Sequence, residues 1–86
     1  MESFEFKIKD EKGMHMRPAG IISEIAAEFP CDITIKKEGE KAIGAKSVFA
    51  IMSLAIKQGE IITIVCNGER EKDASSKLKD FLENNM

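Results

Sequence analysis

Apolar and polar residues alternate strictly at the start of the chain, with Phe4, Phe6 and Ile8 separated by Glu5 and Lys7. A period of two is that of a strand with one buried face. The charged run Asp10-Glu11-Lys12 and Gly13 interrupt it as a loop. From Met16 to Phe29 the period lengthens, so that Ala19, Ile22, Ala26 and Phe29 share one helical face with Ile25 beside them. Pro30 stops that helix. Ile33 to Lys36 alternates again as a strand, and Glu38-Gly39-Glu40 turns the chain toward a weaker one around Lys41 to Ile43. Ser47 is placed to cap a short apolar helix, Val48 to Leu54. After Gln58-Gly59, the run Ile61 to Cys66 is apolar on both phases and is expected to be a central strand. Asn67-Gly68 ends it. In the last segment Ala74, Leu78, Phe81 and Leu82 fall on one face with charges opposite, the pattern of an amphipathic helix.

The order β-α-β-β-α-β-α in one short chain predicts an α+β domain, an antiparallel sheet with helices packed on one face. Right-handed crossovers place all three helices on the covered side. Eighty-six residues suffice for one domain, 1–86, with a single core. The net charge of −2 leaves no electrostatic footprint for nucleic acid. No apolar run reaches the length of a membrane span, and MESFEFKIKD lacks the shape of a signal peptide, which points to the cytoplasm. Cys31 and Cys66 lie in no metal-ligand spacing, and one histidine is too few for an ordinary zinc site. They read as buried thiols on neighbouring strands, close together in the core and not joined as a disulfide.

The chemistry concentrates in GMHMRPAG, Gly13 to Gly20, which holds the only histidine. Proline is accepted in the first turn of a helix, so Pro18 puts His15 at or just before the N-cap. The first backbone N–H groups there have no internal partner, and the helix dipole adds positive potential. Together with the planar fork of Arg17 they form a site for a phosphate or carboxylate. A neutral imidazole is a nucleophile, so His15 could carry a phosphoryl group whose oxygens the helix start and Arg17 hold. The residues alone favour a plainer reading, a solvated loop histidine beside a surface arginine, since helix starts that suit anions are common. A metal ligand fits less well, since no second histidine or evident carboxylate cluster accompanies it.

In AKSVFAIMSLA, Ala45 to Ala55, the apolar positions exceed what one face of a short helix can bury. Ile51 and Leu54 read as core. Val48, Phe49 and Met52 suit either core packing or an exposed docking patch, for which methionine and aromatic side chains are apt. Ser47 reads first as a cap. A phosphate on it would face a helix start and adjacent Lys46, and its new charge would weaken binding to an acidic partner without unfolding the domain.

Taken together, GMHMRPA and AKSVFAIMSLA resemble the histidine-containing phosphocarrier family, HPr, of the bacterial phosphotransferase system, and the likeness in element order covers nearly the entire chain. The resemblance implies an open-faced β-sandwich, a four-stranded antiparallel sheet with three helices on one face. It implies a carrier of sugar transport and no free-standing enzyme: a phosphoryl group arrives from phospho-enzyme I and leaves for an enzyme IIA component, with no cofactor. By position His15 is the acceptor through Nδ1, Arg17 stabilises the charge, and Met16, Val48, Phe49 and Met52 meet the partners. Ser47 falls where Gram-positive relatives carry a regulatory serine, the substrate of HPr kinase/phosphorylase; the phosphoserine form acts with a catabolite control protein in carbon catabolite regulation. The implied protein is a monomer that neither enters a membrane nor binds nucleic acid directly.

The chain also departs from that pattern. Met16 stands where a small residue is usual, Gly20 where alanine, serine or threonine is, and Ala50 and Ala55 where glycine often is. The span from His15 to Ser47 is longer by one residue, placed between Glu40 and Gly44. Met16 and Gly20 favour a rival function, a regulatory interaction module with little histidine transfer, whereas His15, Arg17 and Pro18 favour the carrier. A ferredoxin-like domain binding a small ligand would explain the topology but not the His-x-Arg-Pro helix start.

Overall fold

The run Ile61 to Cys66 takes the central place that its composition demands. In the computed structural model, which describes residues 1–86 throughout, the elements are β1 (Glu2–Lys7), α1 (Met16–Ala27), β2 (Asp32–Lys37), β3 (Ile43–Gly44), α2 (Val48–Ser53), β4 (Ile61–Asn67) and α3 (Glu71–Asn85). The sheet order is β1-β4-β2-β3, antiparallel at every pairing. Phe6 lies opposite Ile62 and Phe4 opposite Ile64 on one side of β4, while Ile35 faces Ile64 and Ile33 faces Cys66 on the other. Ile62, Ile64 and Cys66 are wholly buried on the helix side. Each isoleucine there contributes roughly 1.5–3 kcal/mol through the apolar surface it removes from water. All three helices add to this one core: Ala19, Ile22 and Ala26 from α1, Ile51 from α2, and Ala74, Leu78 and Leu82 from α3. The α+β expectation and the open-faced architecture hold. No helix is long and apolar enough to cross a membrane.

Element ends differ from the sequence reading for local reasons. α1 stops at Ala27, two residues before Phe29, because the residue ahead of Pro30 is pushed out of the helical region. Glu28 caps the helix instead, and the Phe29 N–H closes a tighter turn onto the Ala26 carbonyl. The weak strand expected from Lys41 to Ile43 is only Ile43–Gly44, paired with Ile35 and Thr34. Extending that register by two residues would set Lys41 directly opposite Lys37, and like charges in that position oppose pairing. α2 ends at Ser53, followed by Leu54 as its cap and Ala55 at φ 50°, a left-handed conformation that suits glycine better than alanine. Gly20, by contrast, has open space where a side chain would stand, and nothing in the structure explains a glycine there.

Both cysteines are free and buried. Cys66 pairs with Ile33, so Cys31, two residues earlier on the chain, is its diagonal neighbour and lies against Gly68. Burial first, then the Cys31 thiol and the carboxylates of Glu2 and Glu71, raise the Cys66 thiol from an ordinary 9.0 to about 11. A raised thiol means that the folded chain holds its proton while the unfolded chain loses it. The thiol therefore leaves stability unaffected below pH 9 and lowers it as the pH rises from 9 toward 11. The loss should total roughly 2–3 kcal/mol. Urea denaturation across that range should show this slope in the parent and a shallower one in Cys66→Ala; parallel slopes would refute it.

Candidate functional site

His15 occupies the N-cap of α1 because Pro18 fixes the first turn behind it. Its backbone is extended, with φ −96° and ψ −179°, and its carbonyl accepts the Ala19 N–H at 3.1 Å. Its imidazole makes no capping bond to the helix. The N–H groups of Met16 and Arg17 meet no acceptor within the protein, and Pro18 has none to offer. Free N–H groups at a helix start can receive an anion, the arrangement that the sequence reading expects here. Arg17 stands exposed just beyond it and lines a shallow depression of about 100 Å³ with Asp10, Pro18, Ile21 and Phe81, where α1 meets the end of α3.

One side chain at this site reads from the sequence only as part of a charged loop, with no role beside the histidine. Asp10 brings its Oδ2 to 3.6 Å from His15 Nε2, with both side chains about one-quarter to one-third exposed. The loop that delivers it is tightly specified. Asp10 Oδ1 accepts the Lys12 N–H at 2.8 Å, the Asp10 carbonyl accepts the Gly13 N–H at 2.9 Å, and the Asp10 N–H donates to the Met86 carbonyl at 2.8 Å. Gly13 follows at φ +65° and turns the chain back so that His15 passes beside Asp10. The Lys12 N–H is the main reason that the Asp10 carboxyl lies below its ordinary 3.8; desolvation opposes it, and the His15 ring adds to it. The available signal was the aspartate that opens Asp-Glu-Lys-Gly, a residue type that bonds the backbone two positions on in turns.

Ser47 caps α2 as expected, its Oγ accepting the Ala50 N–H at 3.2 Å. Lys46 is placed differently from the expectation that it would meet a phosphate on Ser47. Its Nζ donates to the Phe29 carbonyl at 3.0 Å, just past the C-terminal end of α1, so the cation is already engaged. Ser47→Ala should cost about 1 kcal/mol, the worth of a cap, whereas Ser47→Asp, which can still cap, should cost much less. Thermal unfolding of the two proteins separates these outcomes.

The candidate docking side chains divide by burial. Phe49 is 84% exposed and Met16 65%, on two helices that pack against each other. Val48 and Met52 are half-buried against the core, so they serve packing and surface at once. Ile51 and Leu54 are buried, as read from the pattern. No three His, Cys, Asp or Glu side chains come together as metal ligands.

Residues 2–84 match the family described as PTS-HPr, the PTS HPr component phosphorylation site. Among solved structures, HPr-C-His from Thermoanaerobacter tengcongensis is 33% identical, with a TM-score of 0.91 over 98% of this chain and 93% of that one. The mycoplasma histidine-containing phosphocarrier protein is 34% identical, with a TM-score of 0.92 over 96% and 93%. Crh, the Bacillus subtilis catabolite repression protein whose structure is a domain-swapped dimer, is 31% identical, with a TM-score of 0.75 over 94% and 92%. Family match, fold and likeness to HPr and Crh alike lead to one conclusion: this chain belongs to the HPr family of the phosphotransferase system.

Proposed function

We propose that the protein is a phosphocarrier of sugar transport, taking a phosphoryl group onto His15 from phospho-enzyme I and handing it to an enzyme IIA component. The observation that carries this reading is a histidine at the N-cap of α1 with two unpartnered N–H groups and Arg17 immediately after it. In the accepting step the Nδ1 lone pair forms a bond to phosphorus. The bond from phosphorus to the donor breaks, and its electron pair stays with the donor. Negative phosphoryl oxygens then face the helix start, while the Arg17 guanidinium, always charged and planar, can hold two of them. Transfer onward reverses these events on another protein, so the site has to be open, and the His15 side chain is 35% exposed. Met16 and Phe49, with Val48 and Met52 behind them, supply the apolar contact for each partner. The protein acts as a stoichiometric carrier, a cytoplasmic monomer that needs no cofactor.

Regulation enters through Ser47, a candidate substrate of an HPr kinase/phosphorylase whose product would engage a catabolite control protein. Charge added there lies beside Val48 and Phe49, with Lys46 turned away to Phe29. A second reading, a regulatory module with little histidine transfer, is favoured by exposed Met16 between His15 and Arg17 and by the likeness to Crh.

Intact mass measurement after incubation with phosphoenolpyruvate and an active cognate enzyme I decides between them. The carrier gives one acid-labile phosphoryl adduct mapped to His15. The regulatory module gives none and turns attention to modification of Ser47.

A further inference from the structure

We propose that Asp10 is a positioning residue that keeps the His15 proton on Nε2 and so leaves Nδ1 as the free nucleophile. Asp10 has two carboxylate oxygens with different duties. Oδ1 is committed to the Lys12 N–H at 2.8 Å, which leaves Oδ2 facing His15 Nε2 at 3.6 Å. An ionised carboxylate can only accept hydrogen bonds, so the nitrogen it faces has to be the one bearing hydrogen. In a neutral ring the other nitrogen then carries the lone pair. The separation is slightly longer than a direct hydrogen bond, as the contacts of a reacting group often are before its partner arrives.

The surrounding loop explains why the carboxylate can do this work. The backbone bonds from Asp10 to Met86 and Gly13 fix its main chain on both sides, and the Lys12 N–H fixes its side chain. The oxygen facing the ring is therefore preorganised. The proposal rests on the phosphocarrier reading and adds a second service once the phosphoryl group is in place. A ring phosphorylated at Nδ1 and protonated at Nε2 leaves as a neutral imidazole when the nitrogen–phosphorus bond breaks. By accepting the Nε2–H, Asp10 keeps that nitrogen protonated, so the ring departs as a neutral imidazole and not as an imidazolate, and the same contact serves acceptance and release.

Two substitutions separate positioning from structure. In Asp10→Asn the amide oxygen keeps the Lys12 bond, so the NH₂ takes the place of Oδ2 and donates to Nε2. That reverses the tautomer and puts hydrogen on Nδ1. Asp10→Ala removes the partner together with the Lys12 bond and lets the ring relax to a mixture, so Asp10→Asn, which keeps that bond, is the variant that isolates the proton. The measurement is the ratio of the two neutral tautomers from imidazole nitrogen chemical shifts at alkaline pH, with the rate of phosphoryl acceptance from phospho-enzyme I measured alongside. We expect the Nε2–H form to dominate in the parent, a mixture in Asp10→Ala, and the Nδ1–H form in Asp10→Asn, whose acceptance slows by about 10- to 100-fold, the usual effect of losing an orienting partner.

A tautomer ratio that does not move in either variant overturns the proposal. So does a reversed ratio with an unchanged rate in Asp10→Asn, because the proton would then not govern the nucleophile. If the parent accepts nothing from an active cognate enzyme I, the carrier reading falls, and with it the role of Asp10 in transfer. The tautomer ratios then decide the Asp10–His15 contact by themselves.

Discussion

His15→Ala should fold like the parent and accept no phosphoryl group at all. The side chain is partly exposed, makes no capping bond to α1, and has one polar contact, the Asp10 carboxylate at 3.6 Å. Exposed contacts of that kind are worth well under ~1 kcal/mol. The fold loses little else, because Pro18 and the buried face of Ala19, Ile22 and Ala26 hold the helix start independently of the imidazole. Function depends on a different property. This is the only histidine in the chain, and no other side chain at the helix start offers a neutral ring nitrogen to phosphorus. Denaturant titration of the two proteins should give superimposable curves, while intact mass after exposure to phosphoenolpyruvate and enzyme I should show an acid-labile adduct on the parent alone. An adduct of equal yield on the variant would remove His15 from the mechanism.

Gly13→Ala should be among the most damaging single changes in the chain, although it adds one methyl group outside every helix and strand. Gly13 sits at φ +65°, where a side chain is strained, and its missing Cβ would lie 2.5 Å from the Ile56 carbonyl oxygen and 2.9 Å from Lys57 Cα. Both obstacles are backbone, so no side-chain rotation relieves them. The same Ile56 carbonyl accepts the Met14 N–H at 3.0 Å, and the Gly13 N–H donates to the Asp10 carbonyl. Any movement that admits the methyl group therefore opens the turn that presents Asp10 and His15 to each other. A disfavoured backbone conformation costs about 1–3 kcal/mol and overpacking about as much again, so a loss of roughly 2–6 kcal/mol is expected. For a domain of this size that lowers the unfolding midpoint by about 10 °C or more. A change under about 1 kcal/mol in urea would show that the turn adapts easily and would weaken the claim that the Asp10 loop is preorganised.

The sequence by itself determined the features that arise from residues close together in the chain. Alternation placed β1 and β2, the helical period placed α1, α2 and α3, and the apolar run of Ile61 to Cys66 placed β4 inside the sheet. Pro18 set the start of α1 and thereby put His15 at its N-cap, and Ser47 announced the cap of α2. These follow from capping and periodicity, which act within a turn or two and can be read without knowing the fold.

Tertiary structure decided what distant or oppositely charged groups do when brought together. β3 is short because its register would oppose Lys41 to Lys37, a fact that exists only once the pairing of Ile43 with Ile35 is known. Lys46 serves the end of α1 at Phe29 because helix packing carries its ammonium there, away from the serine next to it in sequence. Phe49 is exposed while Val48 and Met52 are half-buried, since a short helix presents some of its apolar face to the core and the rest to solvent. The contact between Asp10 and His15 depends on a left-handed glycine, a backbone bond to Met86 and a side-chain bond to Lys12 acting together. Periodicity says nothing about a loop of that kind. Its geometry is fixed by three-dimensional constraints at both ends, and there the chain acquires the carboxylate that its sequence pattern did not reveal.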